Sequence, residues 1–265
     1  MNLHQRIRDT IPHWAVGFAF HLRCLLRRSV ICRKIPHQKA SGKPALIVAP
    51  HPDDETFSCG ALISLKVLMG VPVRVVFLTN GEEVASAAGE EKKAVIKVRR
   101  TQAIAACRCL GVKPVDIRWL NLPDSKLPRS GQSGFDKAVN LLAAQVMEFS
   151  PGEIFCPHPE DRHSDHVAAS ELVREAIHFS RKPCNVIHYP IWMWYHASLG
   201  LSKRLIVDGA WRLDGKTVKA RKKAAISAYL DGPKTLSGMP YCGKLPWSFL
   251  WNFQRRNEVF FDALP

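Results

Sequence analysis

Two short polar clusters hold most of the groups in this chain that could do chemistry. The first, His51-Pro52-Asp53-Asp54-Glu55, follows the apolar run ALIVA with only Pro50 between; the second is HPEDRHSDH, residues 158–166. Three adjacent carboxylates repel one another and cost solvation if buried. One Asp could cap a helix start, but three acids beside a His call for more, and a bound cation would favour them. His51 and Asp54 are three apart. So are His163 and His166, with Asp165 between them. Two imidazoles and one carboxylate form a three-point site for a divalent cation that leaves positions open for water and substrate. Such an ion acidifies its water and polarises a carbonyl. A spare carboxylate can then take a proton, and a spare His can donate one or stabilise an oxyanion. The inventory suits metal-assisted amide hydrolysis. It equally suits a non-haem iron oxygenase, which also uses two His and one carboxylate.

These clusters need a frame to bring them together. Short apolar runs alternate with helical patterns: strands at 45–49, 71–79, 116–120 and 153–156, an extended apolar stretch at 185–194, and helices at 59–70, 92–110, 135–149 and 166–179. That rhythm predicts an α/β fold, Rossmann-like, with a mostly parallel sheet and helices on both faces. Ligands of such sheets bind beyond the carboxyl ends of the strands. Both clusters come directly after strands, so they are expected to face each other across one crevice. Glu55 reads as a helix-start acid that suits the macrodipole, His158 and Asp161 as loop residues, and His188 and His196 as structural. In HYPIWMWYH, Tyr189, Ile191 and Met193 alternate with Pro190, Trp192 and Trp194, which reads as a core strand.

The two clusters, read as APHPDDETFSCGALI and then HPEDRHSDHVAAS, closely resemble the PIG-L/LmbE family of zinc-dependent N-deacetylases, which act on N-acetylated amino sugar conjugates. The likeness runs in order from Ala45 to Ala169 through VVFLTNGEE, LGV (110–112) and LNLPDSKL, with an echo at NEVFF (257–261). It implies an LmbE-like fold and metal ligands His51, Asp54 and His166, with Zn²⁺ the expected ion and Fe²⁺ or Co²⁺ its competitors. It implies Asp53 as general base, His163 as the group that stabilises the oxyanion and helps the amine leave, and Asp165 as the partner that orients His163. Arg99 and Asp124 match positions that contact the sugar. The chain departs from the family pattern at Gln102, where a Glu is common, and in KKAAISAYLDGP, which lacks the family's Ser-Gln pair.

The 265 residues carry 38 Lys and Arg against 23 acids, a net charge of +15. Residues 1–43 hold nine Lys and Arg and one acid, Asp9, a net +8. The expected organisation is a basic amphipathic arm over 1–43 and one deacetylase domain over 44–265. Within the arm, TIPHWAVGFAFHLRCLLRR (10–28) reads as a helix, capped by Thr10 with Pro12 in its first turn. Ile11, Trp14, Phe18, Leu22 and Leu25 share its apolar face. Its uncharged part is too short to span a bilayer. Together with LPWSFLWNF (245–253) it could pack on the domain or form a membrane-facing patch. None of the eight cysteines forms a CxxC pair, and the N-terminus lacks a signal-peptide pattern. The expected location is the cytoplasm, with peripheral contact at the inner, anionic membrane face. A basic membrane- or nucleic-acid-binding protein with a degenerate site is the rival reading. No helix-turn-helix, zinc-finger or RRM signature supports its nucleic-acid version.

Overall fold

Strand β2 (Ala45–Ala49) is buried along its whole length, which requires cover on both sides of the sheet. The computed structural model describes residues 13–84, 91–196, 209–243 and 245–263, and its sheet supplies that cover. Ala45, Ile47 and Ala49 point into one core with Phe57 and Leu62 of α2 (Asp54–Leu68) and Ala103 and Ala106 of α3 (Lys92–Leu110). Leu46 and Val48 point into the other with Leu142 of α4 (Phe135–Phe149) and Leu172 of α5 (Ser164–Ser180). The period of two along the strand thus sorts the helices into two layers.

The described sheet has eight strands in the order β1-β7-β8-β6-β5-β2-β3-β4. Strands β3 (Val73–Phe77), β4 (Ile117–Trp119), β5 (Glu153–Pro157) and β6 (Asn185–Tyr189) run parallel with β2. Strand β8 (Asn257–Asp262) lies antiparallel between β6 and β7 (Ala210–Asp214), and β1 (His37–Gln38), from the basic arm, pairs with β7. The chain leaves β2 toward β3 on one side, and β5 returns on the other side of β2. The crevice at this change of direction receives the residues just past β2 and β5, as the sequence pattern predicts.

Two readings of the sequence need correction. Helix α2 begins at Asp54, not near Cys59. The run 185–194 is not one strand: β6 ends at Tyr189, and Met193–His196 is a helical turn, α6. The backbone N–H groups of Ile191, Trp192 and Met193 all point at the Asp161 carboxylate, at 2.9, 3.0 and 2.8 Å, and so cannot join the sheet ladder. The first helix, α1, runs His13–Lys34, and Phe18 and Leu22 lie on its exposed side. The expected cap Thr10, with Ile11 and Pro12, lies outside the described residues.

The C-terminal elements brace α2. Glu258 on β8 accepts the Ala61 and Leu62 N–H groups at 2.7 and 2.9 Å, and Lys222 on α7 (Lys219–Leu230) reaches Glu258 at 2.6 Å and the Phe57 carbonyl at 2.7 Å. All these groups are buried. Glu258→Gln leaves the Lys222 cation without its counter-charge and is expected to lower stability by about 3–5 kcal/mol, read as a fall in thermal midpoint.

Candidate active site

The turn from β2 into α2 forces Asp53 into an unusual backbone conformation, φ 131°. A non-glycine residue there costs about 1–3 kcal/mol unless its surroundings hold it. Glu55 does so: its Oε2 accepts the Asp53 N–H at 3.0 Å, while Oε1 accepts the Tyr229 hydroxyl at 2.8 Å and the Thr56 hydroxyl at 2.5 Å. Burial pushes the Glu55 carboxyl up to about 7, although these donors favour its ionised form. The Asp53 side chain caps nothing on α2. It faces the pocket, with Oδ2 3.5 Å from Arg99 Nη2.

The structure brings the two clusters into one group. Asp54 Oδ2 accepts the His51 N–H at 3.0 Å and lies 3.4 Å from both His51 Nδ1 and His166 Nε2. On its other side, His51 Nε2 lies 3.1 Å from Asp165 and 3.3 Å from Asp124. The rings of His51, His163 and His166 have centroids 4.7 to 5.5 Å apart. A nitrogen from each of the three lies within 4.8 Å of the other two. Asp165 does not reach His163. Its oxygens take the Ser125 and Leu127 N–H groups at 2.8 and 3.2 Å as well as His51. Among the described residues, His163 Nδ1 has no hydrogen-bond partner.

Asp161 is the residue that sequence reasoning passed over. It is fully buried, and its Oδ2 accepts from His166 Nδ1 at 2.6 Å while its oxygens gather the 191–193 N–H groups. With Nδ1 donating, the neutral ring of His166 presents a bare lone pair at Nε2. That atom is buried, aimed at Asp54, and makes no hydrogen bond. An orphaned imidazole nitrogen aimed at a carboxylate that also meets His51 fits a divalent cation: the donor set is His51, Asp54 and His166, with His163 in reach. A His–carboxylate pair five residues apart in HPEDRHSDH was the only trace of Asp161 in the sequence.

Charge at this point comes from the same contacts. Burial disfavours charge on His51, yet Asp124, Asp165 and Asp54 outweigh it and raise its pKa well above the ordinary value. Burial likewise opposes charge on His166, but Asp54 and Asp161 bring it up to about 9. The centre therefore favours positive charge, whether proton or cation, and a cation that binds there displaces protons. Burial raises Asp53 to about 8 against the pull of Arg99, with Asp54 pushing the same way as burial. A cation beside Asp54 would favour the ionised form of Asp53. His163 is lowered to about 4 by burial and by the neighbouring His166 and His51.

The group opens into a pocket of about 310 Å³. Asp124 and Glu83 lie on its polar side, where Asp124 Oδ2 accepts the Glu83 N–H at 2.7 Å. Arg99 lines it too, held by the carbonyls of Pro52, at 2.7 Å, and Tyr241. Gly81 is required beside it: φ is +66° and an added Cβ would lie 2.2 Å from Arg99 Nε. Phe57, Trp192, Leu245 and Phe249 form its apolar wall. Trp192 stacks near-parallel to His163 at 6.5 Å and packs on Phe249 at 4.7 Å. That wall comes from segments far apart in sequence.

Known proteins resemble this chain in sequence or in fold. A probable N-acetyl-alpha-D-glucosaminyl L-malate deacetylase 2 from Bacillus cereus is 30% identical over 142 residues, 52% of this chain and 61% of its own length. The chain thus spans about three fifths of that relative. The solved N,N'-diacetylchitobiose deacetylase of Pyrococcus horikoshii shares the fold over 96% of this chain and 94% of its own, at 20% identity and a TM-score of 0.61. So does GalB, the 4-carboxy-2-hydroxymuconate hydratase of Pseudomonas putida KT2440, over 84% of this chain and 97% of its own, at 18% identity and a TM-score of 0.61. The family model for PIG-L, GlcNAc-PI de-N-acetylase, matches residues 46–177, the span that contains β2, β5 and both polar clusters. Through that span the chain belongs to the PIG-L family.

Proposed function

We propose that this chain is a divalent-metal-dependent hydrolase, with Zn²⁺ the expected ion, that removes the N-acetyl group from an N-acetylated amino sugar conjugate. The observation that carries the reading is the convergence of His51, Asp54 and His166 with a buried, unbonded His166 Nε2, next to a carboxylate, Asp53, that does not cap the helix and lines the pocket beside Arg99. Family membership supports the same chemistry.

His51, Asp54 and His166 would hold the ion, with Asp161 fixing the tautomer of His166. When bound, the cation acidifies a water and polarises the acetyl carbonyl. Asp53 takes a proton from the attacking water. The carbon–nitrogen bond then breaks, the nitrogen gains a proton, and acetate and a free amine leave. His163, on the pocket wall, faces the reacting carbonyl and stabilises its developing negative charge. Arg99 holds Asp53 in place and meets the sugar together with Asp124. Trp192 and Phe249 offer an apolar face to the sugar ring or its carrier.

The test uses the full chain loaded separately with Zn²⁺, Fe²⁺ or Co²⁺ and a panel of N-acetylglucosaminyl conjugates. Acetate and amine are expected in equal amounts, lost on dialysis against a chelator and restored by metal. No acetate from a folded, metal-loaded chain across the panel overturns the reading. Oxygen consumption with Fe²⁺ would move the site to the oxygenase class.

A further inference from the structure

We propose that α1 and α8 (Trp247–Phe253) form a docking surface for an anionic lipid membrane, set beside the mouth of the pocket. Phe18, Leu22, Leu26 and Val30 are 60, 43, 57 and 51% exposed. Steps of four keep them on one outward face over a length of ~18 Å. A single exposed Leu needs no explanation, but four in a row at helical spacing do.

The inner face of the helix is already engaged. His21 bonds Ser248 on α8, Cys24 is buried, and Arg28 is buried against the Asn257 carbonyl with its guanidinium 4.9 Å over the Trp194 ring. The apolar stripe is therefore the face left over once the helix has packed on the domain. Beside the helix, Trp247 is 53% exposed, and its ring lies 4.8 Å from that of His21. Two residues on, Phe249 lines the catalytic pocket, as does Leu245 just before. The segment 245–249 thus carries both the exposed Trp247 and two residues of the pocket's apolar wall.

Charge decides the occupant. The sequence sets Arg23 and Arg27 directly after Leu22 and Leu26, and Arg33, Lys34 and Lys39 are exposed at the end of the helix and beyond. A second copy would bring a net +8 arm against another +8 arm, so like charges oppose self-association. A nucleic acid would answer the charge but not the Phe, Leu and Val side chains. An anionic bilayer surface answers both, by taking the apolar stripe into its interfacial layer with basic groups at the headgroups. None of the described helices is long and apolar enough to cross a membrane, which leaves contact in the plane of the surface.

Flotation of the full chain with phosphatidylcholine vesicles, with and without phosphatidylglycerol, tests this without any turnover, so its outcome is independent of the reaction in the pocket. The chain is expected to float only with the anionic vesicles, and less so as salt rises. Leu22→Ser with Leu26→Ser is expected to weaken that binding about tenfold or more at an unchanged thermal midpoint. Arg33→Glu with Lys34→Glu, which spares the stripe, is expected to weaken it too. No flotation, equal flotation with both vesicle types, or full binding by the Leu double variant overturns the proposal. So does a wild-type dimer in sedimentation that the same variant converts to monomer, which would give the stripe to a second copy.

Discussion

Asp53→Asn is expected to cut acetate release by about 10²–10⁴-fold while metal affinity stays within a few-fold of wild type. The position of the carboxylate is the reason. Its backbone is pinned by Glu55 and by the start of α2, so a change of side-chain charge leaves the turn in place. Asp53 borders Asp54 in the chain, yet the two carboxylates face different tasks: Asp54 lies 3.4 Å from both candidate ligand rings, and Asp53 faces Arg99 and the open pocket. Asn keeps the shape and loses the ability to take a proton. Asp54→Asn, by contrast, is expected to lose metal first and activity with it. Metal titration and acetate release on the same samples separate the two. If Asp53→Asn retains full turnover at equal metal occupancy, another group takes the proton from water. A hydratase on this fold shows that the scaffold alone does not set the reaction, so the side chains in the pocket have to decide it.

Much of the site was legible in the sequence because the chain writes it locally. A buried parallel strand reads as an apolar run, and the residues just past its end fall at the carboxyl edge of the sheet. ALIVA before His51, and EIFCP before His158, therefore placed both clusters on one rim. Their meeting depended on β2 and β5 being neighbours, which the alternation of elements made the natural arrangement. The hidden features were long-range. Nothing in NEVFF announces that β8 inserts antiparallel between β6 and β7 and anchors α2 through Glu258. The pocket wall of Trp192, Leu245 and Phe249 has no common motif. Periodicity grouped Phe18 with Leu22, but it cannot tell a covered face from an open one. Here His21, Cys24 and Arg28 found polar and apolar partners on the domain, and the more apolar side was left outward. The alternation in HYPIWMWYH suggested a strand. The buried Asp161 carboxylate, 30 residues before Ile191, competes for three consecutive N–H groups and ends it.

That carboxylate is the basis of the second large effect. Asp161→Asn is expected to weaken metal binding by about 10–100-fold, a cost typical of lost carboxylate support for a ligating His. Asp161 does two things at once. It fixes the proton of His166 on Nδ1, which turns Nε2 toward Asp54, and it holds the turn that presents Ile191 and Trp192 to the pocket. Asn retains one oxygen for the backbone donors, but its amide nitrogen would face either His166 Nδ1 or one of the N–H groups. A lost tautomer and a moved wall leave different traces. If Asp161 acts mainly through His166, excess metal restores most of the turnover, and Trp192 emission stays near wild type. If it acts mainly through the 191–193 turn, metal affinity changes little, Trp192 emission shifts, and KM for the sugar conjugate rises. The hydrogen bond at 2.6 Å to His166, shorter than any of the three to the backbone, favours the first outcome.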